Sequence, residues 1–147
     1  MVQFGVSILK KIIFLLLIAT VLFSSDLKTE QKIYKLIIHA LLPNKKDIKV
    51  WSDTKSKENL LRGIDDIVYV SSPTKANFVL LSKDKKTNKD VIKFVTNIQL
   101  LEAQQNNVVG GFFWQKGRPN ILFLRRNLKE HNITLPESMQ EYIEDEI

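Results

Sequence analysis

Side chains that commonly take part in catalysis or metal binding are few in this 147-residue chain, and they are scattered along it. The two histidines, His39 and His131, lie in different predicted elements, and there is no cysteine. Asp65 and Asp66 are neighbours, but they stand just before a predicted strand and no partner for acid–base catalysis can be named, so a turn is the simpler interpretation. No zinc-protease, calcium-loop or phosphate-loop motif occurs. The sequence therefore predicts a protein that is not an enzyme and that holds neither a metal nor a cofactor.

The charge of the chain does not indicate a nucleic-acid partner. The full chain has 22 basic and 16 acidic residues, and residues 1–25 contain two of the lysines and none of the acids. The remainder therefore carries a surplus of only +4. These cations are spread along the chain, whereas nucleic-acid binding requires a concentrated basic surface, so we expect no nucleic-acid binding.

Residues 1–25 have the composition of a secretory signal. Lys10 and Lys11 precede an apolar run over residues 12–23, and Ser24-Ser25 follow. An uncleaved membrane anchor is the alternative, although the run is short for a hydrocarbon layer of about 30 Å. We predict an exported, periplasmic protein whose signal peptide is either removed or retained as an inner-membrane anchor. Only this segment is expected to enter the membrane, and the sequence gives no prediction of the oligomeric state.

The rest of the chain predicts an α/β domain. Residues 26–42 place apolar side chains, Leu36 among them, at helical spacing, and residues 98–105 do the same over a shorter stretch. Four apolar segments have the character of strands: residues 47–51, 67–70, 78–81 and 91–95. Apolar strands that alternate with helices are typical of a sheet covered on both faces. We therefore predict one Rossmann-like α/β domain over residues 26–147, with a mostly parallel sheet, flanking helices, a C-terminal β-hairpin and a last helix over residues 134–143.

The β-hairpin is the strongest local signal in the sequence. Residues 108–114 and 120–124 are rich in β-branched and aromatic side chains, and residues 116–119 between them have the composition of a turn. Gly110 and Gly111 stand within the first arm. Two adjacent glycines in a strand predict a bulge, or a place where another backbone or a ligand comes close.

Three consecutive aromatic residues in the first arm cannot all face one side of a strand. Phe112 and Trp114 share a face by alternation and are both expected in the core. This leaves Phe113 as the predicted partner-contact residue, together with Arg118 in the turn and Arg125 after the second arm, because aromatic residues and arginines dominate binding hot spots. The alternative is that a helix also covers Phe113, which would make the whole hairpin central.

The order of these elements resembles the YfiR-like family of small exported bacterial proteins. The matching segments are KIYKLIIHALLP, IKVW followed by ENLLRG, ANFVLLS, and VVGGFFWQKGRPNILFLRRNL followed by NITLP. Leu42-Pro43 stands where the family has Trp-Pro after the first helix. The resemblance implies a regulator that binds the periplasmic part of a membrane-bound signalling protein, often a diguanylate cyclase, and represses it without catalysis.

A periplasmic small-ligand-binding domain is the second function that the sequence leaves open. Sheets of α/β proteins commonly bind ligands at the carboxyl ends of their strands. Ser71, Ser72, Thr74 and Asn97 follow predicted strands, so they are expected to line such a pocket.

Overall fold

The computed structural model describes residues 26–88 and 90–147, so the predicted signal segment lies outside the described residues. The fold is organised around one sheet of seven strands. These are β1 (Ile48–Ser52), β2 (Ile67–Tyr69), β3 (Phe78–Leu81), β4 (Ile92–Val95), β5 (Gly110–Gln115), β6 (Arg118–Leu124) and β7 (Ile143–Glu144). Their order in the sheet is β2-β1-β3-β4-β5-β6-β7. The predicted α/β domain with a mostly parallel sheet and a C-terminal hairpin is confirmed.

The first five strands run parallel to one another, and β6 turns back antiparallel to β5. The order β2-β1-β3-β4-β5 is that of doubly wound sheets of the flavodoxin type. In such sheets the connections leave β1 in opposite directions, which opens a crevice between the carboxyl ends of β1 and β3. We call the side of the sheet where β1 to β5 end the carboxyl edge, and the opposite side the amino edge.

The helices are α1 (residues 26–41), α2 (Lys55–Arg62), α3 (Ile98–Ala103) and α4 (Arg125–Glu130), and two 3₁₀ helices span Pro73–Lys75 and Glu137–Tyr142. Side chains just before them fix where two of the helices begin. The Thr54 hydroxyl accepts from the backbone N–H of the third residue of α2, and the Asn97 side chain does the same for α3. Such caps satisfy N–H groups that have no partner within the helix.

The apolar side chains form two cores because neighbouring residues of a strand point to opposite faces of the sheet. In β3, Phe78 and Leu80 join the first core, and Val79 and Leu81 join the second. The first core is covered by apolar residues of α1 and α2: Tyr34, Ile37, Ile38, Leu41, Leu60 and Leu61. The second is covered by Leu100 and Leu101 of α3. Both faces of the central strands are therefore buried, as predicted.

Three local predictions are wrong. Residues 134–143 do not form the predicted α-helix: Glu137–Tyr142 is a 3₁₀ helix, and Ile143 pairs with Phe123 at the outer edge of β6 and begins β7. Leu36 was expected on the inner side of α1 but is 62% exposed, since the buried stripe passes through Tyr34, Ile37 and Ile38. Val68 was expected in a buried strand and is 56% exposed, because β2 is an edge strand.

Candidate functional site

The β5–β6 hairpin projects from the carboxyl edge of the sheet. The last residue of β4, Val95, pairs with Gly111, and β5 then continues to Gln115. At about 3.3 Å per residue, the hairpin extends about 13 Å beyond the end of its parallel neighbour. Lys116 and Gly117 form its two-residue turn with φ angles of 51° and 72°, as a type I′ turn requires. Arg118, which was expected in the turn, is instead the first residue of β6.

Exposure of the three aromatic residues differs from the predicted pattern. Phe112 is 1% exposed, Phe113 is 8% exposed and Trp114 is 47% exposed. Phe112 packs edge-on against Tyr34 of α1, with ring centroids 5.2 Å apart. Phe113 belongs to the second core with Leu101 of α3, so the prediction of Phe113 as a contact residue is wrong and the alternative of a covering helix is confirmed.

Trp114 was expected in the core, and that prediction is also wrong. It lies on the same face as Phe112, and the two ring centroids are 6.0 Å apart. However, Trp114 is three residues past Gly111, the last β5 residue paired with β4, so the hairpin has left the covered part of the sheet. All residues from 114 to 119 are exposed. The exposed aromatic of the hairpin is therefore Trp114, which the sequence interpretation missed because it considered alternation but not how far each strand extends.

Arg118 and Arg125 do not lie together. Arg118 begins β6 and Arg125 directly follows it, so seven residues of extended chain place them about 23 Å apart, at opposite edges of the sheet. The Arg125 Nε donates to the Asp145 Oδ1 at 2.6 Å. The predicted surface of Phe113, Arg118 and Arg125 is thus not assembled. Trp114, Lys116 and Arg118 remain together at the end of the hairpin, which we call the hairpin end (residues 114–120).

Gly110 and Gly111 mark a close approach of chains and not a bulge, because the pairing of β5 with β6 is unbroken from Gly110 to Gln115. A Cβ atom on Gly110 would lie 2.2 Å from the Leu122 carbonyl oxygen and 2.9 Å from Cε2 of Phe94. A Cβ atom on Gly111 would lie 3.0 Å from Cγ2 of Val95. The predicted structural role of the glycine pair is explained by this packing of β5 between β4 and β6.

The crevice between β1 and β3 is filled by a side chain of the protein itself. Asp53 Oδ1 accepts from the backbone N–H of Ser82, and Oδ2 accepts from that of Lys83, both at 2.8 Å. Doubly wound folds commonly place a ligand at this position. Here the carboxylate of Asp53 occupies the two N–H donors that a bound anion would use.

The four residues predicted to line a ligand pocket are separated in the structure, so that prediction is wrong. Ser72 accepts from the Thr74 N–H and caps the 3₁₀ helix Pro73–Lys75, while Asn97 caps α3. The chain after β2 returns toward the amino edge, where the Asn77 N–H donates to the Lys49 carbonyl at 2.8 Å. Thr74 consequently lines a cavity of about 350 Å³ that also includes Asn77, Ile92 and His131, whereas Ser71 lines a different cleft beside Trp51 and Tyr69.

Three polar side chains in the cleft beside Ser71 have partners within the described residues, whereas the buried Ser52 hydroxyl there has none. The Tyr69 hydroxyl donates to the Ser52 carbonyl at 3.1 Å, and burial raises the pKa of Tyr69. The Arg62 guanidinium lies 4.5 Å from the centre of the Tyr69 ring, and its hydrogen bond to Glu58 lowers the pKa of that carboxyl. These contacts hold α2 against β1 and β2, and they explain Glu58, Arg62 and Tyr69 without a ligand.

The role of Asp53 can be tested by its effect on stability. We expect Asp53→Ala to lower the free energy of unfolding by about 1 to 3 kcal/mol, because two backbone N–H groups lose charged acceptors. Asp53→Asn keeps one acceptor oxygen and should lose less. Urea denaturation measures both, with Asp84→Ala as a control, since Asp84 is exposed and its one described bond is to the Gln104 side chain. Equal midpoints for Asp53→Ala and Asp84→Ala would contradict the role given to Asp53.

Fold and site together define a doubly wound α/β domain whose carboxyl edge is closed by Asp53 and extended by an exposed aromatic and basic hairpin end. No family model matches the chain, and no curated protein matches it. Within residues 26–88 and 90–147, no group of three or more histidine, cysteine, aspartate or glutamate side chains is placed to hold a metal ion. Across these same residues, none of the helices combines the length and the apolar character needed to cross a membrane.

Proposed function

We propose that this chain is an exported, non-catalytic regulatory protein that binds the periplasmic part of a membrane-bound signalling protein. Trp114 carries the proposal, because its large ring is 47% exposed at the end of a projecting hairpin. Tryptophan and arginine are the residue types most enriched in binding hot spots, and Arg118 lies in the same hairpin end. The segments that resemble the YfiR-like family include this hairpin, which supports a membrane signalling protein such as a diguanylate cyclase as the partner.

The hairpin end is built to present Trp114 rigidly. Trp114 pairs with Pro119 and Gln115 pairs with Arg118, so antiparallel pairing continues to the two-residue turn. Below this end, Phe112 is buried in the first core and Phe113 in the second, which fixes the base of the hairpin on both faces. A contact surface that is already ordered loses little conformational entropy on binding, and this favours affinity.

Capture of a membrane partner tests the proposal. The tagged chain is used to capture proteins from a detergent extract of membranes of the organism that produces it. The captured proteins are identified by mass spectrometry. We expect Trp114→Ala to reduce the captured signalling protein at least about tenfold, as loss of a hot-spot residue worth more than about 1.4 kcal/mol would do. Leu36→Ala is the matched control, because Leu36 is even more exposed than Trp114 but lies on α1, outside the hairpin.

The two variants separate a specific contact from general stickiness. Capture that falls with Trp114→Ala and persists with Leu36→Ala supports the proposal. Equal capture by both variants and by the unmodified chain would contradict the role of the hairpin end as the contact surface. The absence of any membrane signalling protein among the captured proteins would contradict the proposed function itself.

A further inference from the structure

Helix α1 runs antiparallel to the strands and begins at the carboxyl edge. Glu30 forms an ion pair with Lys57 in the first turn of α2, which starts where β1 ends. Eleven and twelve residues later, Leu41 and Leu42 line a cavity with Ile92, the first residue of β4 at the amino edge. The beginning of α1 therefore lies at the same edge of the sheet as the hairpin end.

The beginning of α1 and the hairpin turn extend about equally far in the direction in which β5 runs. Tyr34 and Phe112 are in contact and give a common level. Residue 26 lies eight helical residues before Tyr34, which is about 12 Å at 1.5 Å per residue. The turn begins at Lys116, four residues after Phe112, which is about 13 Å from the same level at about 3.3 Å per residue.

The sequence that precedes α1 is apolar up to Phe23, and only Ser24 and Ser25 stand between it and residue 26. If this apolar segment enters a bilayer, residue 26 lies close to the lipid headgroups, and an orientation with the strands along the bilayer normal brings the hairpin turn to the same level. Headgroup layers add several ångströms to each side of the hydrocarbon, which is enough to include the turn.

Residue types in the hairpin end fit a negatively charged membrane surface. Residues 114–120 contain Trp114, Lys116 and Arg118 and no acidic residue. Tryptophan favours the boundary between lipid and water, and lysine and arginine are attracted to anionic headgroups. At the beginning of α1, the negative charge of Asp26 is offset by the positive charge of Lys28. The positive charge of the hairpin end is therefore not neutralised by these two residues.

We infer that the turn of the hairpin rests on an anionic lipid surface, with Lys116 and Arg118 on the headgroups and Trp114 at the boundary layer. The inference rests on the proposed function in that both place the chain at the periplasmic face of the membrane. It adds an orientation: the carboxyl edge faces the bilayer and the amino edge faces away. A protein partner would then contact Trp114 from the side, within the layer next to the membrane.

Fluorescence quenching of Trp114 in vesicles tests this orientation without any protein partner. The full chain is reconstituted in vesicles of phosphatidylcholine with phosphatidylglycerol, and in vesicles of phosphatidylcholine alone, each carrying a headgroup spin label. The chain has a second tryptophan, Trp51, which is buried in the second core. Its fluorescence is measured in Trp114→Phe, a substitution outside that core, and is subtracted. We expect the headgroup label to reduce Trp114 fluorescence about twofold or more in the anionic vesicles, and less in the neutral ones.

Charge reversal at each edge provides the matched comparison. Lys116→Glu with Arg118→Glu should abolish the quenching of Trp114. Lys45→Glu with Lys46→Glu makes the same change of charge at two exposed lysines of the amino edge, and should leave the quenching unchanged. Circular dichroism confirms that both double variants are folded.

Two outcomes would overturn the inference. One is Trp114 fluorescence that the label does not reduce in anionic vesicles that hold the full chain. The other is quenching that is equally reduced by both double variants, which would make it an effect of net charge. Neither outcome affects partner capture from detergent extract, where no bilayer is present, so a failure of this inference is distinguishable from a failure of the proposed function.

Discussion

Gly110→Ala is expected to lower the free energy of unfolding by more than about 3 kcal/mol, because the added methyl group has no space. The new Cβ would lie 2.2 Å from the Leu122 carbonyl oxygen and 3.1 Å from Cα of Phe123. Both atoms belong to the backbone of β6, which is held in register with β5 by pairs from Gly110 to Gln115. The Phe94 ring, 2.9 Å away, belongs to the first core and is itself fully buried. Relief of the clash therefore requires separation of two paired strands.

The other glycines of the hairpin give matched controls for this prediction. Gly111→Ala meets Val95 at 3.0 and 3.2 Å, contacts that small shifts can relieve, so a loss of about 1 to 2 kcal/mol is expected. Gly117→Ala meets nothing within 4 Å, and its loss of about 1 kcal/mol comes only from its positive φ of 72°. Urea denaturation of the three variants should give midpoints in the order Gly117, Gly111 and Gly110, from highest to lowest. Similar midpoints for all three would contradict the account of the glycine pair.

Strands of this protein are predictable from sequence because their burial is a local property. A strand covered on both faces must be apolar at consecutive positions, as in Phe78–Leu81, where all four residues are buried. The short helix α3 was predictable from apolar residues at helical spacing, which include Leu100 and Leu101. These signals lie within a few residues of one another, and the α/β class follows from their alternation.

Exposure at the ends of strands is not a local property, and there the predictions failed. Whether Trp114 is buried depends on where β4 ends, and Val95 is 19 positions earlier in the chain. Alternation along β5 correctly separates Phe112 from Phe113, but both faces are covered at that level and neither is covered at Trp114. Strand β7 has the same explanation, because Ile143 and Glu144 leave the predicted helix and pair with β6 where its outer edge offers hydrogen-bonding groups.

The candidate site was predictable only as far as the hairpin that carries it. Helix α2 is capped by Thr54, and the carboxylate of the preceding Asp53 accepts from N–H groups 29 and 30 residues later. Nothing near Asp53 in the sequence indicates these partners. The predicted ligand residues failed for a related reason, since position relative to a strand does not reveal that the connection after β2 carries Thr74 back to the amino edge.

Phe113→Ala is expected to lower the free energy of unfolding by about 3 to 5 kcal/mol, the usual loss for a buried phenylalanine. Phe113 is 8% exposed and belongs to the core that α3 covers, so the substitution leaves a cavity between β5 and that helix. The neighbouring Trp114→Ala provides the opposite combination. Its ring contacts Phe112 from a half-exposed position, so the loss should stay below about 1.5 kcal/mol while partner capture falls.

Measuring both properties on both variants decides which residue is structural and which makes contact. Urea denaturation gives the stability of each variant. Capture is assayed without urea, after circular dichroism has confirmed that Phe113→Ala is folded. We expect Phe113→Ala to be destabilised but to retain capture whenever it is folded, because the hairpin end beyond it still carries Trp114. A stable Phe113→Ala that fails to capture would return the contact role to Phe113. That result would require the ring to leave the core in solution, against the burial of Phe113 beneath α3.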